Sequence, residues 1–305
     1  MKDRIENVTI VGMGALGLLF GERIASSLGT DHLCYLMDHE RIKRHADDPY
    51  KINGKQVSFR MMAPDELNGP ADLVITATKY SGLYEARDLM RPVVNEDTII
   101  VSLLNGITSE EILAEVFPRR QILDCIAIGM DAVREGTSLT YRNIGKWQIG
   151  SSQPGREELL ALLKKFLTKA GIPFEVCPDI QRAMWNKFMI NVGINQTCMV
   201  YRTNYGGATA EGSEAFADMS RAMHEVICLA RAEGIDLTEA DYEQDIALLR
   251  SLNPDGYPSM QQDAMAKRPS EVDLFAGTVI RLAKKHGLEV PVNERYYQKI
   301  KEMEQ

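Results

Sequence analysis

The chain opens as an alternation of short apolar runs and helical patterns. Val8–Val11, His32–Met37, Leu73–Ala77 and Thr98–Leu103 have the length of buried strands. Apolar residues recur at helical spacing over Ala15–Leu28, Gly82–Met90 and Ser109–Val116, the first stopped by Gly29. Tyr50–Phe59 reads as a hairpin turning on Asn53-Gly54. Several short strand patterns follow from Ile122 to Gly150. A helix at Arg156–Ala170 and a strand at Ile172–Cys177 complete the series. Strand–helix alternation of this kind predicts a parallel sheet with helices on both faces.

At Pro178 the pattern changes. Strand signals vanish and long helical ones take over at Ile180–Tyr201, Ser213–Glu233, Thr238–Ser251, Ser270–His286 and Val292–Glu302. Thr238 and Ser270 have the chemistry of N-caps, Pro291 suits a first helical position, and Gly234 and Gly287 suit helix ends. The expected organisation is an α/β Rossmann-type domain over residues 1–178 and an all-α domain over 179–305.

Composition narrows the class. With 305 residues, 45% hydrophobic and 26% charged, the chain is long and apolar enough to bury a core without staples. The balance of 35 basic and 43 acidic residues gives a net charge of −8, so no global pull toward nucleic acid or an anionic membrane is expected. Cys34, Cys125, Cys177, Cys198 and Cys228 are scattered and form no C-x-x-C pair. That fits reduced cytoplasmic thiols better than a disulfide framework or a zinc site. His224 and His286 have no metal-ligand spacing, so no metal is expected. Lys2 and Arg4 ahead of the uncharged run Asn7–Gly21 superficially resemble a signal peptide. The run is too short to span a bilayer and is rich in glycine, and it reads instead as a strand turning into a helix.

That turn carries the first chemical signal. Gly12-Met13-Gly14-Ala15-Leu16-Gly17 is G-x-G-x-x-G, placed directly after an apolar strand and opening an amphipathic helix. The context is that of a dinucleotide-binding turn, in which the helix N-terminus offers free N–H groups to a pyrophosphate. Asp38 follows Gly17 at about the interval where a carboxylate binds the ribose hydroxyls of NAD. Arg41, Lys43 and Arg44 come next and could instead hold the extra phosphate of NADP. Asp38 could equally be only a helix cap.

The second signal is a polar stripe. Lys187, Asn191 and Asn195 are spaced i, i+4, i+8 and fall within about 80° of one another on a helix. Phe188, Ile190, Val192 and Ile194 border them, and Trp185 and Met189 lie opposite. A helix apolar nearly all round is buried, so the lysine and asparagines point to a closed polar cleft that a ligand would satisfy. An interior hydrogen-bond network is the alternative.

Together these residues resemble the ketopantoate reductase family. The resemblance covers nearly the whole chain. It takes in the Gly12–Gly17 turn, Lys79, Asn105-Gly106, the W-x-K-x-x-x-N-x-x-x-N stripe over Trp185–Asn195, and Ser259-Met260 followed by Glu271. It implies NAD(P)H-dependent reduction of the ketone of ketopantoate to D-pantoate, a step toward pantothenate and coenzyme A. It implies that Lys187 is the catalytic lysine and that Glu271 helps place it. It implies that Asn191, Asn195 and Ser259 bind substrate, and that Gly12, Met13, Gly14, Ala15, Leu16, Gly17, Lys79 and Asn105 line the cofactor. A further substrate-side asparagine falls near Asn204. NADP(H) is the family's cofactor, but Met37-Asp38 stands where an arginine is usual, which leaves NAD(H) open.

Without the resemblance, Asn105-Gly106 is a turn after a strand, Lys79 a loop lysine, Glu271 an acidic residue in a first helical turn, and Ser259 a residue of a turn-rich stretch. Two other functions compete. One is reduction of another branched 2-keto acid; the other is a non-catalytic NADP-binding sensor, against which the presence of Lys187, Asn191, Asn195 and Glu271 argues. A small 2-keto acid is the expected partner, and the long apolar helices permit a homodimer.

Overall fold

The computed structural model describes residues 3–305; Lys2, the first charge of the signal-like run, lies outside them. The chain divides into two compact units. One runs to Leu104 and resumes over Ser109–Ile180; the other takes Asn105–Thr108 and Gln181–Gln305.

The first unit is built on strands. In chain order they are β1 (Val8–Val11), β2 (Leu33–Leu36), β3 (Lys51–Ile52), β4 (Lys55–Gln56), β5 (Met61–Met62), β6 (Leu73–Thr76), β7 (Ile99–Ser102), β8 (Ile122–Met130), β9 (Val133–Glu135), β10 (Ser138–Thr140), β11 (Ile144–Gly150) and β12 (Phe174–Val176). Eight form one sheet in the order β12-β11-β8-β7-β6-β1-β2-β5. Its pairs are parallel except β8 with β11, which the alternation pattern did not foretell. The helices of this unit are α1 (Ala15–Leu28), α2 (His39–His45), α3 (Leu83–Leu89), α4 (Ser109–Ala114) and α5 (Glu157–Ala170).

The central strands are buried on both faces, which is why they read as continuous apolar runs rather than alternating ones. Leu73, Ile75, Ile99 and Val101 join the cluster that holds Leu18, Phe20 and Ile24 of α1 and Leu163 and Phe166 of α5. Their neighbours Val74 and Ile100 join the opposite cluster with Leu83 of α3 and Leu113 of α4. Phe20 meets Trp147 of β11 edge to face, with ring centroids 5.1 Å apart. A second, small sheet has the order β4-β3-β10-β9. Asn53 and Gly54 both take positive φ, 48° and 79°, which a two-residue hairpin of this twist requires.

The second unit is helical. It comprises α6 (Ile180–Val200, entering from the first unit), α7 (Tyr205–Ala208), α8 (Glu214–Ala232), α9 (Glu239–Ser251), α10 (Ser259–Met265), α11 (Ala276–His286) and α12 (Pro291–Met303). Gly193 brings α6 close to α8: a Cβ there would lie 2.6 Å from Met223. Gln196, fully buried on α6, donates to Asn293 Oδ1 at 3.1 Å and accepts from the Ala276 N–H at the start of α11. Glu225 of α8 in turn accepts from the Val292 and Asn293 N–H groups opening α12. Buried and half-buried polar groups thus knit the helix ends that apolar packing alone leaves unsatisfied.

Candidate functional site

In the first unit the candidate is the glycine turn. Gly12 sits at φ +109°, and a Cβ on it would lie 2.5 Å from the Ala77 carbonyl oxygen. A Cβ on Gly17 would lie 2.0 Å from the Gly12 oxygen. The protein's own packing therefore demands both glycines. Gly14 differs: its φ is −70°, and a Cβ would meet nothing nearer than Ala77 O at 3.5 Å, an ordinary contact. Nothing in the chain asks for glycine at 14, whereas a group approaching the backbone from outside would. Gly14 also leaves α1 without a side-chain cap, and the first turn, containing Ala15, Leu16 and Gly17, holds no acidic residue. Open N–H groups with an uncompensated helix dipole fit a pyrophosphate.

Asp38 ends the stretch after β2 and caps α2. Its Oδ1 accepts from the Arg41 N–H at 2.7 Å, and this bond holds its carboxyl below the usual range. The cap role and the nucleotide role are compatible, because Oδ2 lies only 3.5 Å from Arg41 Nε in a loose, exposed pair. Arg41 Nη2 is bonded to Glu85 at 3.0 Å, and Lys43 and Arg44 lie in the last turn of α2. Lys79 is exposed just beyond β6, at the start of a one-turn helix over Tyr80–Gly82. One residue near the turn was not foreseen. Arg134 of β9 donates through Nη1 to the Met13 carbonyl, from 121 positions away in sequence.

In the second unit the structure gathers side chains from four segments. Lys187 Nζ donates to Asn105 Oδ1 at 3.1 Å, and Asn105 Nδ2 reaches Glu271 Oε2 at a long 3.5 Å. A carboxylate only accepts and an ammonium only donates, so the amide has one permitted orientation between them. Gly106, at φ +87°, keeps this turn close: a Cβ there would lie 2.6 Å from Leu274. Glu271 is 8% exposed. It does not stand in a first helical turn. The helix expected from Ser270 begins at Ala276, because the Leu274 and Phe275 N–H groups both turn back to the Glu271 carbonyl. Ser270 Oγ bonds the Val272 N–H, and its own N–H goes to Glu304.

Farther along α6, Asn195 Oδ1 accepts from Ser259 Oγ at 3.2 Å and from the Met260 N–H at 3.1 Å. Asn195 Nδ2 donates to Asn191 Oδ1 at 3.1 Å. The chain of bonds ends at Asn191 Nδ2, a buried donor with no partner. Ser259 opens α10 rather than lying in an irregular turn. Four further buried oxygens in this unit have no partner, Thr108 Oγ1, Asn186 Oδ1, Asp245 Oδ2 and Gln261 Oε1; nothing in the sequence pattern marks them. Asn204 is occupied otherwise, accepting from the Gly207 N–H as the cap of α7.

Among the described residues there is no cluster that could hold a metal ion and no helix long and apolar enough to cross a membrane. The family models for ketopantoate reductase PanE/ApbA match residues 8–154 and, for its C-terminal part, 179–304. A 2-dehydropantoate 2-reductase of Streptococcus pyogenes is 24% identical over 290 residues, covering 93% of each chain. A D-mandelate dehydrogenase solved with NADH and anilino(oxo)acetate shares the fold at a TM-score of 0.85, with 24% identity and 98% of each chain covered. A dimeric ketopantoate reductase from Staphylococcus aureus does so at 0.80, with 19% identity and 98% of each chain covered. The two models between them account for nearly the whole length, strands and helices alike, and the chain belongs to the ketopantoate reductase family of oxidoreductases.

Proposed function

We propose that the protein reduces ketopantoate to D-pantoate with a nicotinamide cofactor. The observation that carries this reading is the Lys187–Asn105–Glu271 arrangement, a cation held by an amide that a carboxylate orients. When bound, the nicotinamide supplies the hydride. Gly12–Gly17 and the N–H groups of α1 would hold its diphosphate, and Asp38 its adenine-side ribose.

A ketone accepting hydride gains negative charge on its oxygen. Lys187 Nζ stabilises that charge and gives the proton to the alkoxide. Asn105 keeps the ammonium from swinging away, and Glu271 keeps the amide oxygen turned toward it. Asn191 presents its open N–H group to a substrate carboxylate or hydroxyl, while Asn195 and Ser259 fix the tilt of that amide.

The charge at Asp38 favours NADH over NADPH, because a 2′-phosphate would meet an ionised carboxylate. Five unpaired cysteines fit a reducing, cytoplasmic setting. A homodimer is the assembly we expect, as in the Staphylococcus aureus relative.

The test follows oxidation of NADH and NADPH in parallel with ketopantoate. Fast turnover supports the reading, and the better cofactor decides the role of Asp38. A second arm offers D-mandelate with NAD, because the D-mandelate dehydrogenase has the same fold. Turnover there without ketopantoate reduction would replace the substrate and keep the chemistry. Cofactor binding without turnover of either would favour a sensor.

A further inference from the structure

The turn that would cradle a diphosphate has no basic side chain of its own; Met13, Ala15 and Leu16 are apolar and Gly12, Gly14 and Gly17 have none. The small sheet brings one to it. Arg134 pairs across from Leu139 in the β9–β10 ladder, and its side chain is half-buried against the turn. Nη1 donates to the Met13 carbonyl and Nε to the Gly136 carbonyl at 2.8 Å. Both acceptors are neutral, so two of the five guanidinium N–H groups are spent on positioning and no hydrogen-bonded carboxylate cancels the charge among the described residues. Asp48 feels that charge, but its carboxyl is held below the usual range first by its bond to His45. Its carboxylate is already shared by His45 Nδ1 at 2.7 Å and Tyr50 Oη at 3.3 Å.

An arginine docked on a carbonyl, beside a capless helix N-terminus with no acid in its first turn, is a cation waiting for an anion. We propose that Arg134 binds the diphosphate of the dinucleotide, supplying from the small sheet the positive charge that the glycine turn lacks. The inference rests on the dinucleotide reading and adds to it a residue and a purpose for the second sheet. That sheet carries the arginine to the turn without placing any side chain on the turn itself, where Gly14 must stay bare. Arginine rather than lysine suits the position, because a planar fork can hold the carbonyl with one N–H and a phosphate oxygen with others.

The experiment titrates NADH and ADP-ribose into the wild-type protein, Arg134→Gln and Arg134→Lys, at low and moderate salt. ADP-ribose carries the diphosphate without the nicotinamide. Glutamine removes the charge and keeps a neutral donor on a shorter side chain, while lysine keeps the charge at nearly the same reach. We expect Arg134→Gln to raise the Kd of both ligands at least about tenfold and to flatten its salt dependence, with lysine recovering part of the loss. Thermal midpoints of the unliganded variants check that they fold. Unchanged ADP-ribose affinity in Arg134→Gln would overturn the proposal, and so would weakening confined to NADH. Wild-type protein that binds neither of these ligands nor NADPH would sink the dinucleotide reading along with it, an outcome separate from tight wild-type binding unaffected by substitution.

Discussion

The glycine turn and the Lys187 cluster show two ways of making a polar site. The turn works by omission: side chains are missing at Gly12, Gly14 and Gly17, and backbone N–H groups are left open. The cluster works by mutual restraint: Lys187, Asn105 and Glu271 hold one another, as do Ser259, Asn195 and Asn191. A backbone site tolerates change in its neighbours but not added atoms. A side-chain site tolerates added atoms nearby but not loss of a partner, because each buried group left behind goes unsatisfied.

The largest expected effect breaks the cluster at its centre. Lys187→Ala should lower kcat about a thousandfold, measured by steady-state reduction of ketopantoate, while the Kd for NADH measured by fluorescence stays close to the wild-type value. Equal losses in both would move the lysine out of the chemistry and into cofactor binding. Next comes a contrast inside the turn. Gly17→Ala should cost about 2 kcal/mol or more of stability in chemical denaturation, since its Cβ would lie 2.0 Å from backbone oxygen. Gly14→Ala should leave stability within about 0.5 kcal/mol of wild type and still weaken NADH binding about tenfold. Should Gly14→Ala bind normally, the turn would be a packing device only.

A smaller effect sharpens the electrostatic half of the comparison. Asp38→Ser should move the ratio of NADPH to NADH kcat/KM about tenfold toward NADPH, and an unmoved ratio would reduce Asp38 to a cap. The smallest lies beside the cluster, on the next residue of α6. Asn186 Nδ2 donates to Asp245 Oδ1 at 3.2 Å, while Asp245 Oδ2 is buried without a partner. Burial, offset in part by that bond, pushes the Asp245 carboxyl from 3.8 up to about 7. The folded protein therefore holds this proton more tightly than the unfolded chain. The stabilisation it brings is complete at acid pH and is lost as pH rises toward and through about 7. Asp245→Asn should flatten that decline in thermal midpoint; an identical slope would assign it to another group.

How much of this could be read in advance differs between the same two regions. The turn is contiguous, so Gly12–Gly17 was legible as spacing, and β1 and α1 came out with the bounds expected of them. The stripe on α6 was legible because helical periodicity places Lys187, Asn191 and Asn195 on one face. Its partners were not, in physical terms: Asn105 is 82 positions from Lys187 and Glu271 is 166 from Asn105, and no local pattern encodes such distances. Those two entered only through resemblance. Arg134 is the same case without resemblance to help, since one arginine in a weak hairpin carries no signal. The late start of α11 escaped because Ser270 and Glu271 look like an N-terminus in one dimension, while the Glu271 carbonyl gathers two N–H groups into a turn instead.

The segment Asn105–Thr108 leaves one unit for four residues and returns, carrying with it the amide that fixes Lys187. Shuffling genes at the single joint near residue 180 would therefore pair a foreign Asn105 with a native Lys187 and Glu271. Exchange of halves between relatives is silent only when that short excursion travels with the helical portion.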